Sequence, residues 1–166
     1  MRLFFAIWPD ETARNRLNEL AKRLHGACGG KVTRSDSIHL TLVFLGEVEK
    51  TESLLEAASV ISANAFEIRV DRATYWKHNR IAWAGTSAIP EELAKLVDAL
   101  KRALEQRGFS FDERNYVPHV TLVRKAGMAE NLPEFEPFSW RVSEFCLAAS
   151  SESGYRILEK WPLTGC

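Results

Sequence analysis

Two distant stretches of the chain follow one pattern, and a single fold has to accommodate both. Residues 37–46 (SIHLTLVFLG) and residues 117–124 (VPHVTLVR) each contain a histidine, a threonine two positions later, and then leucine and valine. Both stretches are rich in β-branched and aliphatic residues, which predicts two strands. Side chains two positions apart in a strand lie on the same face, so each strand presents its histidine and threonine together. The opposite faces are apolar, and we expect them to be buried in the core.

If the two polar faces meet across one cleft, their side chains can act together on phosphorus. An imidazole has an ordinary pKa of about 6.5, so one of His39 and His119 can be neutral while the other is protonated. One histidine would take the proton of the attacking group, and the other would protonate the departing oxygen. The hydroxyls of Thr41 and Thr121 can donate hydrogen bonds to non-bridging phosphate oxygens. This combination is typical of a phosphoesterase that uses general acid–base catalysis.

Two other interpretations of the paired histidines are possible, a structural role and a metal site. A single strand histidine is more often structural, but a second copy in the same apolar frame weakens that explanation. Two histidines can also bind zinc or copper, yet catalytic zinc usually takes a third protein ligand, and the chain has no HExxH motif. We therefore favour acid–base chemistry and expect neither a metal nor a cofactor. His25, at the predicted end of a helix, and His78, in a polar turn, are expected to have no catalytic role.

The composition limits the kinds of partner. A chain of 166 residues with 46% apolar residues fits one soluble domain, and we assign residues 1–166 to it. The 22 basic and 22 acidic residues argue against an extended nucleic-acid surface but allow a small phosphate pocket. No apolar run is long enough to span a membrane, and the N-terminal apolar segment is too short for a signal peptide. Three cysteines without CxxC spacing favour a cytoplasmic protein.

Periodicity predicts an α+β fold with about three helices and eight strands. The first helix opens at Pro9 and ends at Gly26, the second runs from an N-cap at Thr51 to Ser62, and the third begins at Pro90. Strands besides the two motifs are predicted at residues 2–8, 31–32, 66–71, 80–84, 140–148 and 155–161, with a turn at 75–79.

The motif residues resemble a known family. HLTLVFLG (residues 39–46) is similar to the HxTxxFLG signature of the 2H phosphoesterases, and PHVTLVR (118–124) is similar to their PHxTLxR signature. The specific resemblance is to bacterial and archaeal RNA 2′,3′-cyclic phosphodiesterases, also called 2′-5′ RNA ligases. Residues 2–7 and 155–163 also resemble the ends of that family, so the similarity covers essentially the whole chain.

The resemblance implies a bilobal fold with two antiparallel-rich sheets, related by pseudo-two-fold symmetry around a central cleft, and helices outside. It implies metal-free hydrolysis of a ribose 2′,3′-cyclic phosphate, with His39 protonating the leaving oxygen and His119 activating water. Thr41 and Thr121 would hold the phosphate, and Arg124 would add a charged contact. A regular strand places Arg124 opposite His119, so this contact requires a bulge, a twist or an approach from the rim; otherwise Arg124 is a surface residue.

The expected substrates are RNA ends or cyclic nucleotides, handled by a monomer without membrane contact. Nucleobase stacking could involve Trp76, Trp83 or Tyr116, whereas we expect Phe44 to be in the core because it shares a face with the buried leucines of its strand. The alternatives are ATP-independent 2′-5′ ligation, hydrolysis of 2′,5′-linked oligonucleotides, and a non-catalytic module that binds RNA ends.

Overall fold

The computed structural model describes residues 1–165, which contain three α-helices and ten strands. The helices are α1 (Glu11–Cys28), α2 (Glu52–Ser59) and α3 (Glu91–Gln106). The strands are β1 (Arg2–Ile7), β2 (Lys31–Val32), β3 (Leu40–Glu47), β4 (Phe66–Val70), β5 (Arg72–Trp76), β6 (Ile81–Gly85), β7 (His119–Arg124), β8 (Phe138–Val142), β9 (Glu144–Ser151) and β10 (Gly154–Pro162). A short 3₁₀ turn at Ser35–Ser37 leads into the first motif.

The two motif strands lie side by side in the middle of the larger sheet. This sheet has the order β10-β9-β1-β3-β7-β6-β5, with β2 added to β7, and a separate small sheet pairs β4 with β8. The neighbouring strands run antiparallel. Within residues 1–165, β3 and β7 pair only through Leu40 and Val120, so the sheet opens into two halves on either side of this pair. The predicted α+β class and two-sheet arrangement are confirmed.

The two halves repeat one another in chain order. In the first half, β1 is followed by α1 and pairs with β3; in the second, β6 is followed by α3 and pairs with β7. Each helix crosses to the other half, since α1 packs against β7 and α3 packs against β3. The segment before each motif also bonds to the other motif strand: Thr33 N–H donates to the Leu122 carbonyl, and Asp112 N–H donates to the Phe44 carbonyl.

Strand β1 separates two buried clusters, because its side chains are apolar on both faces. Leu3, Phe5 and Ile7 belong to the main core, which also takes the buried stripes of the helices. Full burial of each such side chain contributes about 1.5–3 kcal/mol. On the other face, Phe4 and Ala6 form a smaller cluster with strand β9. That cluster lies under the cleft, so one central strand supports both the core and the site.

Several predicted element boundaries are wrong for identifiable reasons. Helix α1 continues through Gly26, because Cys28 extends its buried stripe, and Gly29 with φ 65° ends it. Helix α2 ends at Ser59, and Thr51 makes no side-chain cap. No helix in residues 1–165 combines the length and apolarity required to cross a membrane.

Two strand predictions are wrong because the bounds of a strand depend on its pairing with distant strands. The turn predicted at residues 75–79 included the last two residues of β5, and no strand was predicted there. Strand β5 pairs with β6 along its length, and the turn follows at residues 77–80. The strand predicted at 140–148 is divided at Ser143 into β8 and β9, which belong to different sheets.

Candidate active site

Each motif strand contains a bulge at the third residue after its histidine. The pairing of β3 with β1 moves from Ala6–Thr41 to Phe5–Val43 and leaves out Leu42. The pairing of β7 with β6 moves from Trp83–Thr121 to Ala82–Val123 and leaves out Leu122 in the same way. Beyond such a bulge, each side chain lies on the face of the strand opposite to the one that regular alternation would give it.

The bulges bring the fifth residue after each histidine to the cleft. Leu42 and Val43 are both buried, and Phe44 beyond them lines the cleft and is half-buried. The expectation that Phe44 lies in the core is therefore wrong. In β7, the exposed side chain of Arg124 lines the same cleft. A bulge, one of the possibilities raised for Arg124, explains how it reaches the side occupied by His119.

The two histidines have the same local geometry. The Nδ1 atom of His39 lies 2.7 Å from the Ser37 carbonyl oxygen, and that of His119 lies 2.9 Å from the Val117 carbonyl oxygen. A carbonyl oxygen only accepts, so Nδ1 carries the hydrogen in both rings. Nε2 is then the unprotonated atom of each neutral imidazole. Both rings line the cleft, so each can offer Nε2 as a base or, after protonation, as an acid.

The threonines complete the polar floor of the cleft. Because Leu40 pairs with Val120 in antiparallel strands, Thr41 lies level with His119 and Thr121 lies level with His39. The Thr41 carbonyl accepts a hydrogen bond from the Tyr116 hydroxyl at 3.0 Å, and the Thr121 carbonyl accepts one from the Thr33 hydroxyl at 3.0 Å. The cleft has a volume of about 450 Å³ and is lined by all five predicted site residues.

A close backbone contact holds the Arg124 end of β7. Lys31 of β2 pairs with Arg124, and Gly30 precedes it with φ 83°. A Cβ atom on residue 30 would lie 2.5 Å from the Arg124 carbonyl oxygen, so only glycine fits there. The backbone that carries the guanidinium is therefore fixed on the side of β2.

Aromatic rings surround each histidine, and the sequence did not single out those around His39. Its ring stacks on Trp8 with the ring centres 4.8 Å apart and an interplanar angle of 19°, and the Tyr155 ring, at 77° to it, has its centre 4.8 Å away. The Trp8 Nε1–H donates to the Asp36 carbonyl at 3.1 Å, which fixes the indole plane. Phe4 completes this side at 5.2 Å. These residues come from the beginning and end of the chain, so only the strand order brings them together.

The predicted stacking residues are found on the His119 side. Trp76 and Trp83 lie 4.7 and 5.9 Å from the His119 ring at steep angles of 67° and 71°. Trp83 is only 2% exposed, so it offers no free face to a nucleobase. Tyr116 is half-buried and bonded to Thr41. Trp76 is also half-buried and lines a groove beside the cleft.

Burial is the main influence on the charge of both histidines. It lowers the pKa of His39 to about 4, opposed by the hydrogen bond to the Ser37 carbonyl and reinforced by the charge of Arg124. Burial also lowers the pKa of His119, again opposed by its carbonyl partner and reinforced by Arg124. At neutral pH both imidazoles are therefore largely uncharged in the free protein. Within residues 1–165, no three His, Cys, Asp or Glu residues cluster in a way that could hold a metal ion.

Comparison with known proteins places this geometry in a family. The family model for LigT-like phosphoesterases matches residues 7–83 and 85–158. The chain belongs to this family. The RNA 2′,3′-cyclic phosphodiesterase of Escherichia coli K12 is 34% identical over 98% of this chain and 97% of its own length. The enzyme of the same name from Archaeoglobus fulgidus is 30% identical over 75% of this chain and 72% of its own length.

Solved structures agree with the sequence comparisons. The crystal structure of E. coli LigT complexed with 3′-AMP superposes with a TM-score of 0.89 and 34% identity, covering 99% of this chain and 98% of that one. The predicted membership of the 2H phosphoesterases is thus confirmed. The bulges explain how the fifth position after each histidine reaches the cleft.

Proposed function

We propose that this protein is an RNA 2′,3′-cyclic phosphodiesterase that hydrolyses a terminal ribose 2′,3′-cyclic phosphate to a 2′-phosphomonoester. The observation that carries the proposal is the pair of histidines in one cleft, each with Nδ1–H bonded to a carbonyl and Nε2 free for proton transfer. The relatives that match this chain over nearly their whole length bear the same enzyme name. LigT itself has been crystallised in complex with 3′-AMP and with phosphate.

In the proposed reaction the two histidines act on opposite sides of phosphorus. Nε2 of His119 takes a proton from water as the water oxygen bonds to phosphorus. The bond from phosphorus to the ribose O3′ breaks, and Nε2–H of His39 gives its proton to that oxygen. The products are a 2′-phosphate and a free 3′-hydroxyl, and each histidine then returns to its starting state by exchange with solvent. Each proton transfer typically contributes about 10²–10⁴ in rate.

The remaining site residues are proposed to bind the phosphate. The hydroxyls of Thr41 and Thr121 donate to its non-bridging oxygens from opposite strands, because each threonine lies level with the other motif's histidine. Arg124 adds a positive charge that favours the extra negative charge of the transition state. The strand bulge that brings Arg124 to the cleft supports this assignment.

The bound phosphate also supplies the condition for His39 to act as an acid. Burial holds the pKa of His39 at about 4 in the free protein, too low for much protonation at neutral pH. A phosphodiester carries a negative charge, which favours the imidazolium beside it and offsets the repulsion from Arg124. We therefore propose that the proton on His39 is taken up together with the substrate.

Two further observations support a monomeric, cytoplasmic enzyme. All five site residues come from one chain, which supports a monomer. Three cysteines without metal-site spacing support a cytoplasmic location. Light scattering after gel filtration tests the monomer, and fractionation of cells tests the location.

The deciding experiment is incubation with adenosine 2′,3′-cyclic phosphate in the presence of EDTA, followed by identification of the product. We expect 2′-AMP, formed at the same rate with and without the chelator. Formation of 3′-AMP would show that the bond from phosphorus to O2′ breaks, so that O2′ and not O3′ is the leaving oxygen. Loss of activity with EDTA and recovery with one added metal ion would favour metal chemistry. A second reaction, with an added RNA 5′-hydroxyl in place of water, measures 2′-5′ ligation.

A further inference from the structure

A second groove opens beside the phosphate cleft, on the His119 side. It has a volume of about 600 Å³ and shares Thr41, Phe44 and His119 with the cleft. Its other walls come from the turn between β5 and β6, the C-terminal half of α3 and the loop before β7. Because the two spaces share three residues, a molecule held in the cleft can continue into the groove.

The walls of the groove expose aromatic and apolar surface. The rings of Trp76 and His78 lie 5.9 Å apart at the end of the β5–β6 hairpin. Val117 on the loop before β7 is 46% exposed and adds apolar surface to the same groove. Flat rings and apolar surface on an open groove suit the face of an unpaired nucleobase.

The charges along the groove suit a single phosphodiester. Arg114 forms an ion pair with Asp112, and its hydrogen bonds hold the pKa of that carboxyl below its usual range, so these two charges cancel. Lys101 lies with its Nζ atom 5.8 Å from the centre of the Phe111 ring. Asp112, Arg114 and Lys101 together therefore leave one uncompensated positive charge, which is on Lys101.

We propose that this groove binds the nucleotide that precedes the cyclic-phosphate end of a single-stranded RNA. The inference rests on the proposed function. The terminal ribose carries the cyclic phosphate on O2′ and O3′, and its O5′ continues into the preceding phosphodiester. With the cyclic phosphate between the histidines, the preceding base stacks at Trp76 and His78, and the preceding phosphate meets Lys101. A base within a duplex is already stacked on its neighbours, so the groove selects unpaired 3′ ends.

The test compares substrates that differ by one nucleotide. Binding is measured for 3′-AMP and for the adenosine dinucleotide with a 3′-phosphate. Hydrolysis is measured for adenosine 2′,3′-cyclic phosphate and for the dinucleotide that ends in the same cyclic phosphate. We expect the dinucleotide to be favoured about ten-fold or more in both comparisons, the size expected for one stacked base.

Variants of the groove should reduce this preference. His78→Ala and Lys101→Ala are each expected to bring the dinucleotide-to-mononucleotide ratio towards one. Trp76 is not varied, because its ring also contacts His119. Lys95→Ala is the matched control: Lys95 lies on the same helix, is 71% exposed and pairs with Glu91 outside the groove. It should keep the wild-type ratio.

The outcomes separate the groove from the reaction. A wild-type ratio near one, or a ratio unchanged in both groove variants, overturns the proposal. An equal loss of affinity for both ligands would assign the groove to the terminal base and also overturn it. If neither cyclic phosphate is hydrolysed, the proposed function is wrong, and the binding ratio still decides whether the groove takes a second nucleotide.

Discussion

The two halves of the cleft are alike in backbone and different in side chains. In both, a histidine donates Nδ1–H to the carbonyl two residues earlier, and a bulge follows at the third residue. Both bulges bring the fifth residue into the cleft, but that residue is Phe44 in one half and Arg124 in the other. The backbone therefore provides the same position twice, and the side chains make the two sides chemically distinct.

The rings around the histidines differ as well. Trp8 lies nearly parallel to His39, whereas Trp76 and Trp83 meet His119 at steep angles. Burial lowers the pKa of both imidazoles and takes that of His39 to about 4. An acid–base pair requires unlike partners, since one has to hold a proton while the other is free. These differences provide the means for that division, and the variants below test how the tasks are divided.

The largest effect is expected from removing either histidine. His39→Ala and His119→Ala should each lower turnover of a 2′,3′-cyclic nucleotide by about 10²–10⁴-fold, the contribution of one acid or base. A nucleoside 4-nitrophenyl phosphodiester then separates the roles, because nitrophenolate leaves without a proton. His39→Ala should regain much of its loss on this substrate, and His119→Ala should not.

Circular dichroism and thermal unfolding provide the control for this pair, because both rings are partly buried and their loss could disturb the packing. The opposite pattern, with recovery in His119→Ala alone, would exchange the two roles. Full activity in both variants would exclude the two-histidine mechanism.

The next largest effect should come from Arg124, with Phe44 as its matched position. Arg124→Ala should lower kcat/KM by about ten- to hundred-fold, as expected for loss of a charged hydrogen bond. Since the Arg124 cation lowers the pKa of both histidines, its removal should also move the falling limb of the pH profile to higher pH. Phe44→Leu should change kcat/KM far less and leave that limb in place. Equal effects at the two positions would contradict the distinction between the halves.

These two positions also show how far the sequence could predict the site. His39, Thr41, His119 and Thr121 were predicted together because alternation over three residues is a local property of a strand. The bulges are not local: Leu42 and Leu122 become unpaired only through their alignment with β1 and β6. Alternation alone therefore placed Phe44 in the core, and it put Arg124 on the wrong face.

The aromatic partners were hidden for the same reason. Trp8 follows β1 and Tyr155 lies in β10, and both reach His39 only through the strand order of the large sheet. Helices α1 and α3 were predicted well because their buried stripes repeat within the helix itself. Features that depend on a single segment were accessible from sequence, and features that depend on strand alignment were not.

The pH dependence tests whether the two imidazoles titrate as an unlike pair. A phosphodiester does not titrate between pH 4 and 9, so kcat/KM reports the free protein. Productive binding requires that one imidazole is protonated and the other is neutral. Burial lowers the pKa of both. We expect a bell-shaped pH profile of kcat/KM with its maximum between about pH 4 and 6.5. At higher pH, kcat/KM should fall about ten-fold per pH unit. The kcat profile should extend to higher pH, because the bound anion favours the imidazolium. A flat kcat/KM profile over this range would contradict the proposal that one histidine acts as an acid and the other as a base.

The smallest effect on rate is expected from replacing the aromatic neighbours of the histidines. These variants compare the two halves of the cleft most directly, because each ring contacts one of His39 and His119. Burial is the main cause of the low pKa of His39, so opening its surroundings with Trp8→Ala should raise that pKa towards 6.5. Trp76→Ala should instead raise the pKa of His119, whose ring it contacts. Titration of the histidine ring protons by NMR measures both values in each variant, so each protein serves as the control for the other. If the pKa of His39 falls in Trp8→Ala, the stacked indole stabilises the imidazolium more than burial destabilises it, and Trp8 then helps His39 hold its proton.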